Sequence, residues 1–231
     1  MKVSIVLPFY NLFYLVNQRL MEIHRLIRTP LEIIVIDDCS QETAPVNIIE
    51  IWRKQMIHDL IFYRSEQNLG FGGVFNKGCE MASGDIYVLL SNDVKILYDF
   101  IPDIIKIIND NEKVLIGNML YTHDTGWNVF EINGKPKLFP YLAGHFIVCT
   151  EDVWEDIGGF DEIYYPYDYE DVDISTMALY KGCELVSLDS KMLIHDHPGS
   201  TIRTIDSNRE RITRDHREKF YNKWSKILEN E

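Results

Sequence analysis

The sequence predicts an α/β fold: a mostly parallel central sheet with helices on both faces. Three observations predict it. Short apolar runs alternate with helix-period segments over the first 98 residues. The short runs are apolar nearly throughout rather than at every second position, the pattern of strands buried on both faces. Each run also ends in a small polar cluster. Ligands of open parallel sheets gather beyond the carboxyl ends of the strands. The clusters Pro8-Phe9-Tyr10-Asn11, Asp37-Asp38, Asn68-Leu69-Gly70 and Ser91-Asn92-Asp93 are therefore expected together on one edge.

Val3 to Leu7 is a strand ended by Pro8. Residues 12–28 carry Leu12, Leu15, Val16, Arg19, Leu20, Ile23, Leu26 and Ile27 at helical spacing. Leu31 to Ile36 is a β-branched strand that runs into Asp37-Asp38, and residues 43–57 read as a helix. Leu60 to Tyr63 is a third strand, about residues 72–83 a helix stopped near Gly84, and Ile86 to Leu90 a fourth strand. Beyond residue 98 the rhythm changes. Ile101 to Ile108 reads as a helix, Val114 to Leu120 as a strand, and residues 121–141, rich in turns and aromatics, as a hairpin. Ala143 to Cys149 is strand-like, and Asp152 to Ile157 is a short helix closed by Gly158-Gly159. Residues 170–181 form a helix stopped by Gly182, residues 183–195 two short strands, and residues 206–228 a terminal helix. With no repeat or linker, one domain of 1–231 is expected, divided into halves at 1–98 and 99–205 plus the tail 206–231.

Composition excludes some functions. The chain has 231 residues and a formal net charge of -13, from 36 acidic and 23 basic residues. Such a surface repels phosphate backbones, so nucleic acid is not the expected partner. Cys39, Cys79, Cys149 and Cys183 form no C-x-x-C pair and no disulfide framework, which fits a reducing compartment. No run reaches the roughly 18 consecutive apolar residues of a membrane span. A soluble cytoplasmic protein is expected. Peripheral contact with a membrane stays open through the stretch Arg203 to Lys226, which has eight basic and four acidic residues; packing of Phe220 and Trp224 is the plainer reading of that stretch.

Several segments carry chemistry. Asp93, where a strand meets a loop, either caps the following turn or holds a divalent cation against phosphates. Asn68-Leu-Gly-Phe-Gly-Gly73 opens a helix as a phosphate-cradling loop does, but Phe75 breaks the dinucleotide fingerprint. Gly78 inside that helix implies close packing or close ligand approach. Asp168, Glu170, Asp171 and Asp173 crowd the start of the next-to-last helix. They suit the helix dipole, and crowding also raises a carboxylate toward the range of a general base. His195 and His197 are spaced as metal ligands in an extended chain or as structural histidines. The absence of a G-x-S-x-G elbow argues against a serine hydrolase.

Taken together, these segments resemble glycosyltransferase family 2 with the GT-A fold, over nearly the whole chain. VSIVLPFYN (residues 3–11) is similar to the family's opening strand. IIVIDDCSQE (33–42) resembles its VDDGS turn and NLGFGGVFNKG (68–78) its glycine-rich segment. LLSNDV (89–94) stands at its D-x-D-type metal motif, and GGFDE (158–162) with YEDVD (169–173) resembles its acceptor-side elements. His195 with Gly199-Ser200 resembles the late histidine motif and FYNKW (220–224) the aromatic-basic end. The sequence departs from the pattern at Ser91, which replaces the first carboxylate of D-x-D, at Cys39, which replaces a Gly, and at Val74.

The resemblance implies a Rossmann-like nucleotide-sugar half and a smaller acceptor-side region. It implies an inverting, metal-dependent hexosyl transfer from a nucleotide-diphosphate sugar to a hydroxyl of a glycan or lipid-linked acceptor, as in polysaccharide biosynthesis. Donor contacts fall to Pro8, Tyr10, Asp37, Asp38, Asn68, Gly72, Asn76, Ser91 and Asn92. Mn2+ or Mg2+ falls to Asp93 and His195, and the base to Asp171. Gly144, Asp161 and Glu170 fall on the acceptor side. The NLGFGG wording is most like bacterial rhamnosyl- and galactofuranosyl-type transferases, which favours dTDP-rhamnose or a UDP-sugar. The rival readings are a catalytically inactive nucleotide-sugar-binding module and a nucleotidyltransferase.

Overall fold

The computed structural model describes residues 1–41, 46–189, 191–195 and 208–228. Its first half is β1 (Val3–Phe9), α1 (Phe13–Leu26), β2 (Glu32–Asp37), α2 (Val46–Gln55), β3 (Asp59–Arg64), α3 (Gly70–Met81) and β4 (Ile86–Leu90). Next come β5 (Val94–Ile96), α4 (Ile101–Asp110), β6 (Val114–Gly117), β7 (Leu120–Tyr121), β8 (Val129–Ile132), β9 (Lys135–Leu138), β10 (Tyr141–Leu142) and β11 (Phe146–Thr150). The chain continues through α5 (Glu151–Ile157), a 3-10 turn (Glu162–Tyr164), α6 (Glu170–Tyr180), β12 (Glu184–Ser187), β13 (Leu193–His195) and α7 (Arg209–Leu228).

Seven strands form one mostly parallel sheet in the order β12-β6-β11-β4-β1-β2-β3. β1 runs parallel to β2 and β4, β2 to β3, and β6 to β12; only β11 is antiparallel to its neighbours β4 and β6. The continuous apolar strands divide between two cores because successive side chains point to opposite faces. Ile5, Leu7, Ile33, Val35, Val88 and Leu90 pack on one face, and Val6, Ile34, Ile36, Tyr87 and Leu89 on the other. A third cluster gathers Phe130, Phe139, Tyr164, Tyr169, Phe220 and Trp224 beneath α7. Among the described residues no helix is long and apolar enough to cross a membrane.

Several boundaries differ from the sequence expectation for identifiable reasons. The strand expected from Val114 to Leu120 is two: β6 stays in the large sheet and β7 leaves it to pair with β10. The strand expected from Ala143 begins only at Phe146. The backbone before it serves loops instead: Ala143 N–H donates to Met119 O, Gly144 N–H to Asp171 Oδ2, and His145 O accepts from Ser91 N–H. α3 starts at Gly70, because the Asp38 carboxylate accepts from Leu69 and Gly70 N–H and so satisfies donors a helix start leaves open. His197, Gly199 and Ser200, like residues 206–207 of the expected tail helix, lie outside the described residues.

Candidate active site

A cavity of ≈ 500 Å³ opens at the carboxyl ends of β1, β2 and β4. One wall comes from the first half of the chain: Pro8 and Tyr10 after β1, Asp38 after β2, Asn68 and Gly70 at the start of α3, and Ser91, Asn92 and Asp93 after β4. The facing wall is Gly144 and His145 before β11, Tyr165 to Asp168, Glu170 and Asp171 at the head of α6, His195 on β13, and Arg209 on α7.

The two neighbouring aspartates after β2 take different places. Asp37 is fully buried; its carboxylate pairs with the Arg64 guanidinium and accepts from Ser40 N–H at 2.8 Å. Asp38 faces the cavity and ties Asn68 Nδ2, Leu69 N–H and Gly70 N–H to itself at 2.9, 2.7 and 3.2 Å. Burial pushes the Asp38 carboxyl up to about 6, against those backbone donors. Cys39 next to it is left-handed, at φ 59, a conformation that favours the Gly it replaces. Gly70 is left-handed as well, and a Cβ there would lie 2.7 Å from the Tyr165 ring and 2.8 Å from Pro166 O. Only glycine lets the two walls approach so closely.

Asp93 is buried. Its Oδ1 accepts from Ser91 Oγ at 2.6 Å, and its Oδ2 lies 3.3 Å from His195 Nε2. Burial by itself raises the Asp93 carboxyl, but the hydrogen bonds from His195 and Ser91 outweigh it and hold the group below its ordinary value. The His145 ring stacks on His195 at 4.0 Å, with its Nε2 buried and unpartnered. Burial, then the neighbouring His195, pushes His145 down to about 3, so it stays neutral.

These residues fit a hard divalent cation. Among the described residues no three His, Cys, Asp or Glu side chains gather as a cage. Mg2+ and similar ions use only one or two protein groups when phosphates complete the shell. Asp93 and His195 both line the cavity, and a cation there would take an oxygen and a nitrogen from them in place of the contact between the two; the orphaned His145 nitrogen beside them marks the spot as polar.

Asp171 stands in the first turn of α6. Its Oδ2 accepts from Gly144 N–H at 3.2 Å and its Oδ1 from Val172 N–H at 2.8 Å. Burial pushes its carboxyl up to about 6, against those donors. A Cβ on Gly144 would stand 3.1 Å from Asp171 Cβ. Glu170 is buried, with Oε2 unpartnered; burial and then Asp171 hold its carboxyl well above the ordinary range. Burial thus raises both neighbouring carboxyls above their ordinary range.

Four expected site residues stand off the cavity. Asp37 is taken up by Arg64. Gly72 packs on Phe160, whose Cβ would be 2.9 Å from a Cβ at that position. The Asn76 amide brackets Phe160, accepting from its N–H and donating to its carbonyl, both at 2.9 Å. Asp161 accepts from Ile163 N–H and pairs with Lys223 at 2.9 Å. Conversely, His145, Tyr165 and Arg209 line the cavity without having been singled out. His145 lies inside an expected strand, and Arg209 opens a helix whose basic face reads as solvated; nothing in their spacing marks them.

No curated protein sequence matches the chain. Solved structures share its fold. The mannosyltransferase PcManGT from Pyrobaculum calidifontis, in complex with GDP-Man and Mn2+, is 18% identical at a TM-score of 0.67, over 85% of this chain and 57% of that one. TarS of S. aureus is 17% identical at 0.62, over 84% and 36%. TarS 1–349 in complex with UDP-GlcNAc is 18% identical at 0.58, over 84% and 57%. The chain therefore spans less than two thirds of the length of each. The family described as Glycosyl transferase family 2 matches residues 4–181, well over half of the sequence. With that match over an α/β architecture that the solved structures share, the chain belongs to glycosyl transferase family 2.

Proposed function

We propose that this protein moves a sugar from a nucleotide-diphosphate donor to a hydroxyl of a glycan or lipid-linked acceptor, with inversion at the anomeric carbon and dependence on Mn2+ or Mg2+. One observation carries the reading: the Asp93–His195 pair and the raised carboxyl of Asp171 line one cavity. GDP-Man and Mn2+ in the PcManGT complex and UDP-GlcNAc in the TarS complex support this donor class and the metal. The wording of NLGFGG favours dTDP-rhamnose or a UDP-sugar.

Pro8, Tyr10 and Asp38 line the nucleotide end, where Asp38 accepts hydrogen bonds from base or ribose. Asp93 and His195 would hold the cation, which would supply positive charge to offset that of the departing diphosphate. Asp171 takes the proton of the acceptor hydroxyl, whose oxygen attacks the anomeric carbon from the face opposite the diphosphate. The new glycosidic bond forms as the bond to the diphosphate breaks, and the configuration inverts. A single base suffices, because the leaving group needs no proton.

A thermal-shift screen of GDP, UDP, dTDP and their sugars, with and without MnCl2, tests this. A ligand that binds the folded state raises the melting temperature by mass action. A Mn2+-dependent rise with one nucleotide is expected and names the base. Binding without any release of sugar, even to water, would replace the transferase with an inactive binding module.

A further inference from the structure

Helix α7 lies wholly beyond residues 4–181 that match the family, yet its inner face is spent on the loop around Asp171. Arg209 donates from Nε and Nη2 to the two oxygens of Asp168 at 3.2 and 3.0 Å. Thr213 Oγ1 donates to Asp168 Oδ2 at 2.6 Å. His216 Nδ1 lies 3.0 Å from the carbonyls of both Tyr167 and Asp168. Arg217 Nη1 donates to Tyr169 OH at 3.1 Å, and Lys223 and Trp224 each hold an oxygen of Asp173 at 2.7 Å. These contacts bracket Asp171 on both sides in sequence.

The bracketed backbone is strained. Asp168 and Tyr169 are consecutive non-glycine residues in the left-handed region, at φ 72 and 77. That region is unfavourable for any residue with a Cβ. Strain of this kind persists only where the surroundings over-determine it. Here the surroundings are α7. The turn made by Asp168 and Tyr169 ends where α6 begins, so it sets the direction in which the first turn of α6 presents Asp171. Both oxygens of Asp168 are engaged, which leaves it a tether rather than a second base.

We propose that α7 is a positioning element of the catalytic loop and acts through Asp168, which Arg209 and Thr213 clamp so that Asp171 points into the cavity. The proposal rests on Asp171 being the base. It makes the terminal helix part of the acceptor half of the site.

The test uses the full chain and hydrolysis of UDP-glucose, UDP-GlcNAc, dTDP-rhamnose and GDP-Man in MnCl2, following the donor the wild type turns over fastest. Thr213→Val removes only the hydroxyl, Thr213→Ser keeps it, and Asp168→Asn weakens the clamp from the other side. Misplacing a catalytic group by about 1 Å costs on the order of 100-fold, so both Thr213→Val and Asp168→Asn are expected to lower kcat about tenfold or more. Donor KM is expected to stay within about twofold, and Thr213→Ser to recover most of the rate, because the donor wall is untouched. A merely structural clamp would lower the melting temperature and leave kcat alone. Values of kcat within about threefold of wild type in folded Thr213→Val, with Asp171→Asn inactive, would overturn the positioning role by itself. Wild-type turnover by Asp171→Asn would remove the base assignment first. Should Asp168→Asn fail to fold, the Thr213 pair decides.

Discussion

Asp171→Asn separates the catalytic claim from the electrostatic one in a single variant. The amide keeps the shape of the side chain and removes its titration. Burial holds the Asp171 carboxyl at about 6, from an ordinary 3.8. A group raised in the folded state contributes stability that is complete below its unfolded value and is lost as the pH rises through the folded one. The gap of about 2 units corresponds to ~3 kcal/mol at about 1.36 kcal/mol per unit. Asp171 no longer titrates in the variant and Glu170 loses its charged neighbour; both effects favour the variant as the pH rises, so the melting-temperature difference, variant minus wild type, is expected to widen from pH 4 to pH 7.5. At roughly 2–4 °C per kcal/mol for a domain of this size, the widening is about 6–12 °C. The amide also turns an N–H group toward the backbone donors of Gly144 or Val172. That cost is the same at every pH, so the change in the gap is the quantity to read. Circular dichroism melts at both pH values supply it, and transfer in the same variant is expected to fall at least about 100-fold. A gap that does not change with pH would refute the claim that burial holds this carboxyl up. Retained transfer would refute its role as base.

Asp93→Ala is expected to weaken nucleoside-diphosphate binding in MnCl2 by about tenfold or more while leaving binding in EDTA unchanged; equal affinities in MnCl2 for variant and wild type, by calorimetry, would sink the metal assignment. Gly78→Ala is expected to destabilise the fold by about 1–3 kcal/mol, because its Cβ would lie 2.1 Å from Val6 Cγ1. Adding Val6→Ala vacates that space and is expected to recover the part of the loss due to the clash; a Gly78→Ala chain as stable as wild type in urea would show that α3 shifts freely on β1.

Much of the fold was legible because it is written in local patterns. Val3 to Leu7, Leu31 to Ile36 and Ile86 to Leu90 are apolar apart from Ser4 and Glu32, and a sheet covered on both faces buries such strands. The polar residues closing them therefore fell on one edge, and Pro8, Tyr10, Asp38, Asn68, Ser91, Asn92 and Asp93 indeed line one cavity. The acidic start of α6 was likewise visible as a cluster. What a sequence determines alone is this period and punctuation. Partners far along the chain decide the rest. Asp37 and Asp38 look equivalent in sequence, but the register that sets Asp37 beside Arg64 on β3 gives one to an ion pair and leaves the other for the cavity. His145 meets His195 only because β11 slots between β4 and β6 while β13 pairs with β5. Arg209 reaches Asp168 across 41 residues of chain. Such contacts have no local period, since it is the tertiary packing that brings these groups within hydrogen-bond reach.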